Sequence, residues 1–240
     1  MTDLEIASIF SAQTANVREL EKSWKQVNLA INHALVTNDS EALKLNTRFL
    51  GLLFCAYCEA QFSKLIHTPC QFKSIEIQQI KSQRSVVDSW KKCILLAVKR
   101  IDASHSNYKP NLIKKINGLI DNYIAEPSLI RNKIAHGQWV RTLNTANTKE
   151  TPDFSIKVTS LNALDYIRYK AAVNHVYKIV EDIVKSPNKT HHRDFWIHIS
   201  EFKKEQSVMM SWTIEDKRAM LKLKKSFSKQ GGNSNNNKAS

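Results

Sequence analysis

Glycine and proline are scarce, five of each in 240 residues. An all-β fold needs many tight turns, and this chain has few residues that make them. Long apolar runs are missing too. The best, Phe49 to Cys58, is far shorter than the ~20 residues a membrane span requires. The N-terminus carries Asp3 and Glu5 and no basic flank, so no signal peptide is expected. The expectation is a cytoplasmic protein with no membrane partner, whose four cysteines are reduced. P-loop, G-x-G-x-x-G, G-x-S-x-G and H-E-x-x-H motifs are all absent. Acids are outnumbered, 22 against 36 Lys and Arg, for a formal net charge of +14. That excess makes a polyanion the first partner to consider: RNA, DNA or an anionic membrane surface. The hydrophobic fraction of 42% supports a core, in one domain or one domain with an appendage.

Helical periodicity fills most of the chain. Val17, Leu20, Trp24, Val27, Ile31 and Leu35 recur at three and four residues, predicting an amphipathic helix over about 4–36. Thr37-Asn38-Asp39-Ser40 breaks it and can cap the next. Residues 41–67 are the most apolar stretch and predict a central, buried helix carrying Leu50, Leu52, Leu53, Phe54, Tyr57 and Phe62. Glu59 lies within it. It is either paired on a buried face or half-exposed in an ordinary helix pair. Further helices are predicted over 74–82, 86–101, 110–124, 127–137 and 161–184. Trp139–Leu143 and Phe154–Thr159 read as short β runs that could form a hairpin. Ser186-Pro187-Asn188 reads as a boundary. The division expected is a helical domain over 1–186, a basic, partly helical extension over 187–229, and a disordered tail over 230–240.

Two clusters invite a metal reading. Cys55, Cys58, His67 and Cys70 are potential zinc ligands. The C-x-x-C sits inside an apolar helical run, however, with no turn of the kind a zinc knuckle needs, so buried thiols are expected. His191, His192 and His198 are read as an exposed polar segment. No metal site and no cofactor are expected. The run Lys217–Lys229, with Met220, Leu221, Leu223 and Phe227 interleaved, is either a solvated helix face or a contact to RNA or a membrane surface.

The stretch Pro127 to Gly137 organises the rest. Pro127 suits a first helical turn, Leu129, Ile130 and Ile134 supply an apolar side, and Gly137 is a stop. Asn132 and His136, four apart, share a face. Arg131 and His136, five apart, lie about 140° around the axis. Two copies facing across an axis could bring both types together. Arg100–His105 and Arg193–His198 have the same spacing. The 131–136 pair stands out for its polar residue after Arg and its Gly after His. As a plain surface helix, the same residues would give an Arg in a salt bridge and a His capping the last carbonyls.

Arg131-Asn132-Lys133-Ile134-Ala135-His136-Gly137 resembles the signature of the HEPN superfamily, whose ribonuclease members carry Arg, a polar residue, three more residues, then His. A Glu on a comparable apolar helix, here Glu59, extends the resemblance. It implies an all-α, HEPN-like helical bundle and a metal-independent endoribonuclease. RNA supplies its own nucleophile, the 2′-OH, and the product would end in a 2′,3′-cyclic phosphate. Arg131 and His136 would be the catalytic pair, with Asn132 and Glu59 supporting. Lys133, Lys222, Lys224 and Lys225 would hold RNA. The family also implies a homodimer with a composite site, and a toxin or antiviral role with an antidote or regulatory partner. The alternatives are a non-catalytic HEPN-like interaction or RNA-binding module and, on charge alone, a DNA-associated accessory protein.

Overall fold

The computed structural model describes residues 1–102 and 105–233, with side chains through residue 224. Among the described residues there are helices and no strands: α1 (Asp3–Thr37), α2 (Ser40–Ile66), α3 (Ser74–Lys81), α4 (Val86–Val98), α5 (Tyr108–Ile120), α6 (Glu126–Ala135), α7 (Pro152–Ser160), α8 (Ala163–Lys185), α9 (Thr190–Met210) and α10 (Ile214–Asn233). A π-helical turn, Asp121–Ala125, joins α5 to α6 without a break. The all-α expectation holds.

The long antiparallel pair α1–α2 turns at Asn38, which takes the left-handed conformation at φ 56°. The Asp39 carboxylate then accepts the Ala42 N–H at 2.9 Å and caps α2. α2 is packed by α1, α6 and α8. Leu50, Phe54 and Tyr57 are buried as expected, whereas Leu52, Leu53 and Phe62 are half-covered. By length and composition α2 is apolar enough to cross a bilayer, a property that the run-length reading of Phe49–Cys58 missed. Half of its most apolar window is covered by the other helices. Gly51 lets the helices approach: a Cβ there would lie 3.0 Å from the Tyr166 ring and 3.1 Å from Ile134 Cδ1. The motif helix α6 and α8 both reach α2 at this point.

Three sequence readings need correction. First, Phe154–Thr159 is helical, in α7. The hairpin reduces to one antiparallel bridge, Leu143–Glu150, with Thr151 N–H donating to the Thr142 carbonyl at 2.8 Å. Pro152 opens α7, where its missing N–H costs nothing. Ser155 and Val158, three apart, turn inward, leaving Ile156 exposed. The alternation Phe154-Ile156-Val158 imitated a strand. Second, the core continues past 186. Phe195 and Ile199 of α9 join the main cluster of buried residues, and Phe202 is buried against Tyr123 of the π turn at 4.7 Å between ring centroids. Third, His191 is buried, 1% exposed, with Nε2 2.9 Å from the Tyr108 hydroxyl, whereas His192 is exposed as expected and His198 is half-buried. The Lys225 and Phe227 side chains and the tail from 234 onward fall outside the description, as does Ala103-Ser104 beside the 100–105 pair.

Candidate active site

Helices α5, the π turn and α6 form one continuous rod, and the widened turn has a local cause. Pro127 has no N–H to give to the carbonyl one turn back, and its ring crowds that carbonyl. A π turn relieves both at the cost of an extra residue in the spiral. The far end of α6 is closed by Gly137 at φ 73°. Gly137 N–H donates to the Ile134 carbonyl at 3.0 Å and Gln138 N–H to the Lys133 carbonyl at 2.9 Å. This is the Schellman pairing expected of a left-handed glycine. Trp139 Nε1 adds a third bond, to the Ile134 carbonyl at 2.9 Å. His136 is therefore presented on a well-defined helix end.

The two motif residues face opposite surroundings. Arg131 points inward and is 9% exposed. One terminal nitrogen meets Glu59 Oε1 at 2.9 Å and the other donates to Asn132 Oδ1 at 2.9 Å. The Glu59 side chain is 67% exposed, so it reaches from solvent to cover the guanidinium. Both open readings of Glu59 are half right: it is exposed, and it is the partner of a buried charge. His136 is exposed, and no side-chain hydrogen bond or ion pair holds it among the described residues. Its backbone N–H donates to the Asn132 carbonyl at 3.1 Å. Arg131 and His136 do not meet within one chain.

The outer face of α6 carries Leu129, Asn132 and His136. Leu129 was expected on the buried side, but it is 57% exposed. Lys133 donates its ammonium to the Leu143 carbonyl, which ties α6 to the bridged loop. Lys222 and Lys224 are exposed on α10, and Lys222 Nζ lies 3.4 Å from Asn38 Oδ1. Among the described residues neither makes a hydrogen bond or ion pair to the motif helix.

The four candidate zinc ligands do not form a group. Cys55 Sγ donates to the Arg131 carbonyl at 3.5 Å, and burial pushes its thiol up to about 12, so it remains protonated. Burial raises Cys58 as well. His67 gives its Nδ1–H to the Ser63 carbonyl at 2.6 Å, while Cys70 is exposed at the loop.

Among the described residues, one cluster gathers three metal-type ligands: Asp182, Asp194 and His198. Each carboxylate already has a cation, Lys178 at 2.9 Å for Asp182 and the Arg193 fork at 2.7 Å for Asp194. His198 Nε2 lies 3.0 Å from the buried Asp182 carboxylate, and its Nδ1 faces Glu201 at 3.6 Å. This is an ion-pair network that fastens α9 to α8. Sequence reasoning missed it because Asp182 lies on a different helix from the histidine it serves.

Comparison with protein-family models, with curated proteins and with solved structures finds no match to this chain.

Proposed function

We propose that this protein is a HEPN-type, metal-independent endoribonuclease acting as a homodimer, in the manner of a toxin or antiviral effector. The observation that carries the reading is the division of labour on α6. A histidine whose ring nitrogens have no partner among the described residues stands on the outer face, and a guanidinium held by a carboxylate points inward. Neutral His136 takes the proton of a ribose 2′-OH, or in its protonated form gives one to the 5′-oxygen leaving group. Arg131 neutralises the charge that builds on the phosphorus oxygens, for which a planar fork suits better than a point charge. Glu59 and Asn132 hold that fork in one orientation. The 2′-oxygen bonds to phosphorus as the 5′-oxygen leaves, giving a 2′,3′-cyclic phosphate. Because Arg131 and His136 are separated in one chain, the site is composite. Exposed Leu129, on the same face as His136, supplies an apolar contact for the second copy. The +14 charge, including Lys222 and Lys224 on α10, draws in the RNA. In this scheme the role is cytoplasmic and under the control of an antidote protein.

A second reading, a non-catalytic RNA-binding or interaction module, is favoured by one observation: both terminal nitrogens of Arg131 are engaged internally. A single assay separates the two. Purified protein incubated with total RNA, with and without EDTA, should cut in both cases and leave cyclic phosphate ends. Light scattering should show a dimer. Intact RNA throughout would leave the binding module as the answer.

A further inference from the structure

A cavity of about 260 Å³ opens beside the Arg131–Glu59 pair, between α2, α4 and the π turn. Its apolar wall includes Phe62 and Trp90, whose ring centroids lie 4.6 Å apart at 36°, together with Ile124. Its polar lining includes Glu59, Arg131 and Lys81. Pockets for drug-sized ligands run about 300–1,000 Å³, so this one suits a single flat ring system. Aromatic walls with cations beside them are what a nucleobase and its phosphate require.

We infer that this cavity binds one nucleotide of the RNA, with guanine preferred. The inference rests on the nuclease reading and adds a base preference to it. Only Glu59 Oε1 is committed to Arg131. A carboxylate has about four lone-pair sites, so Oε2 remains able to accept. Guanine presents two adjacent N–H donors and, next to them, the O6 acceptor. A carboxylate beside two cations complements that edge. Uracil offers one N–H between two carbonyls and fits it worst. Arg131 then has two tasks, facing the scissile phosphate and forming the rim of the base pocket. Binding a guanine would thus set the fork that acts on the neighbouring phosphate.

The test uses the full chain and calorimetric titration with GMP and UMP. GMP should bind about tenfold more tightly than UMP or better. Val86→Phe and Ser128→Phe each place a ring in the cavity from a different, half-buried lining position. Each should weaken GMP by about tenfold, with circular dichroism confirming the fold. Glu59→Gln should erase the margin of GMP over UMP. Equal binding of the two nucleotides by the parent, no GMP binding at millimolar concentration, or parental GMP affinity in both filled variants would overturn the proposal. RNA cleavage run in parallel keeps the two readings apart. Cutting without GMP binding removes the pocket alone. GMP binding without cutting removes the nuclease and leaves the pocket.

Discussion

Of the three segments that carry an Arg and a His five apart, the fold treats 131–136 and 193–198 in opposite ways. In 131–136 the arginine is buried and the histidine is free. In 193–198 the arginine is exposed, 75% by side chain, and the histidine, 17% exposed, is held by a buried aspartate on one nitrogen and faces a glutamate with the other. Spacing along a helix fixes only relative direction. What each side chain can do is decided by the neighbouring helix. α2 offers Glu59 to Arg131 and nothing to His136, whereas α8 offers Asp182 to His198 and leaves Arg193 to its own neighbour.

The largest expected effect tests that contrast directly. His136→Ala should reduce RNA cleavage by on the order of 10²–10³ or more without moving Tm. His198→Ala should do the reverse: cleavage within a few-fold of the parent, and stability lower by about 1–3 kcal/mol, because Asp182 loses one of its two partners in a buried position. At roughly 2–4 °C per kcal/mol for a chain of this size, a melting curve resolves that loss. A fast-cutting His136→Ala protein together with an inactive His198→Ala protein would transfer the site to α9.

Next is the arginine. Arg131→Lys should slow cleavage by on the order of tenfold or more, since an ammonium cannot reproduce two parallel donors. Arg193→Lys should be silent. Arg131→Ala is a poorer probe because it also empties a buried position beside Cys55. Parental rates in Arg131→Lys would show that the fork is structural.

The polar parts of α2 and α9 also predict a pH response. Burial lowers the affinity of His191 for protons, to about 4, with His192 adding to the effect. Burial lowers His67 as well. The folded chain refuses protons that the unfolded chain accepts near pH 6.5. These groups therefore contribute full stability above about pH 6.5, and the contribution is lost as pH falls toward 4. For His191 this amounts to roughly 1–3 kcal/mol. Denaturant titrations at several pH values should show the decline, and His191→Phe should flatten part of it. An unchanged slope in that variant would mean that His191 is not the sensor.

The smallest effect concerns α10. Replacing Lys222 and Lys224 with alanine should weaken RNA binding a few-fold and lower the salt-dependence slope by about 1–2, as fewer counterions are released. Identical slopes would mark this run as a solvated face.

Much of this architecture is legible in the residues. The 3.6-residue stripe gives α1, α2 and α8 to within two residues, and Asp39 and Gly137 mark a start and a stop. Other features are not, and the reasons are physical. Arg131 looks like a surface residue until α2 brings Glu59 over it, a pairing between positions far apart in sequence. His191 looks exposed because polar residues surround it in order, and His198 gives no local sign of a partner, while Tyr108 and Asp182, which they meet, come from α5 and α8. Phe154–Thr159 matches a strand in period and a helix in context, and Pro152 settles it. The pocket behind Arg131 uses residues from four separate stretches, so no local pattern reveals it.

The π turn at 121–125 sets the rotational phase of everything after it. Each residue advances an α-helix by about 100°, and a π turn holds one residue more than the α spiral needs. Winding the same residues as a regular α-helix would rotate α6 by about 100°. The motif from Arg131 to His136 would be unchanged letter for letter. Its arginine would nevertheless swing away from Glu59, and its histidine toward the flank now occupied by other side chains. Two chains could share this motif in full and differ in function through the winding of the helix before it.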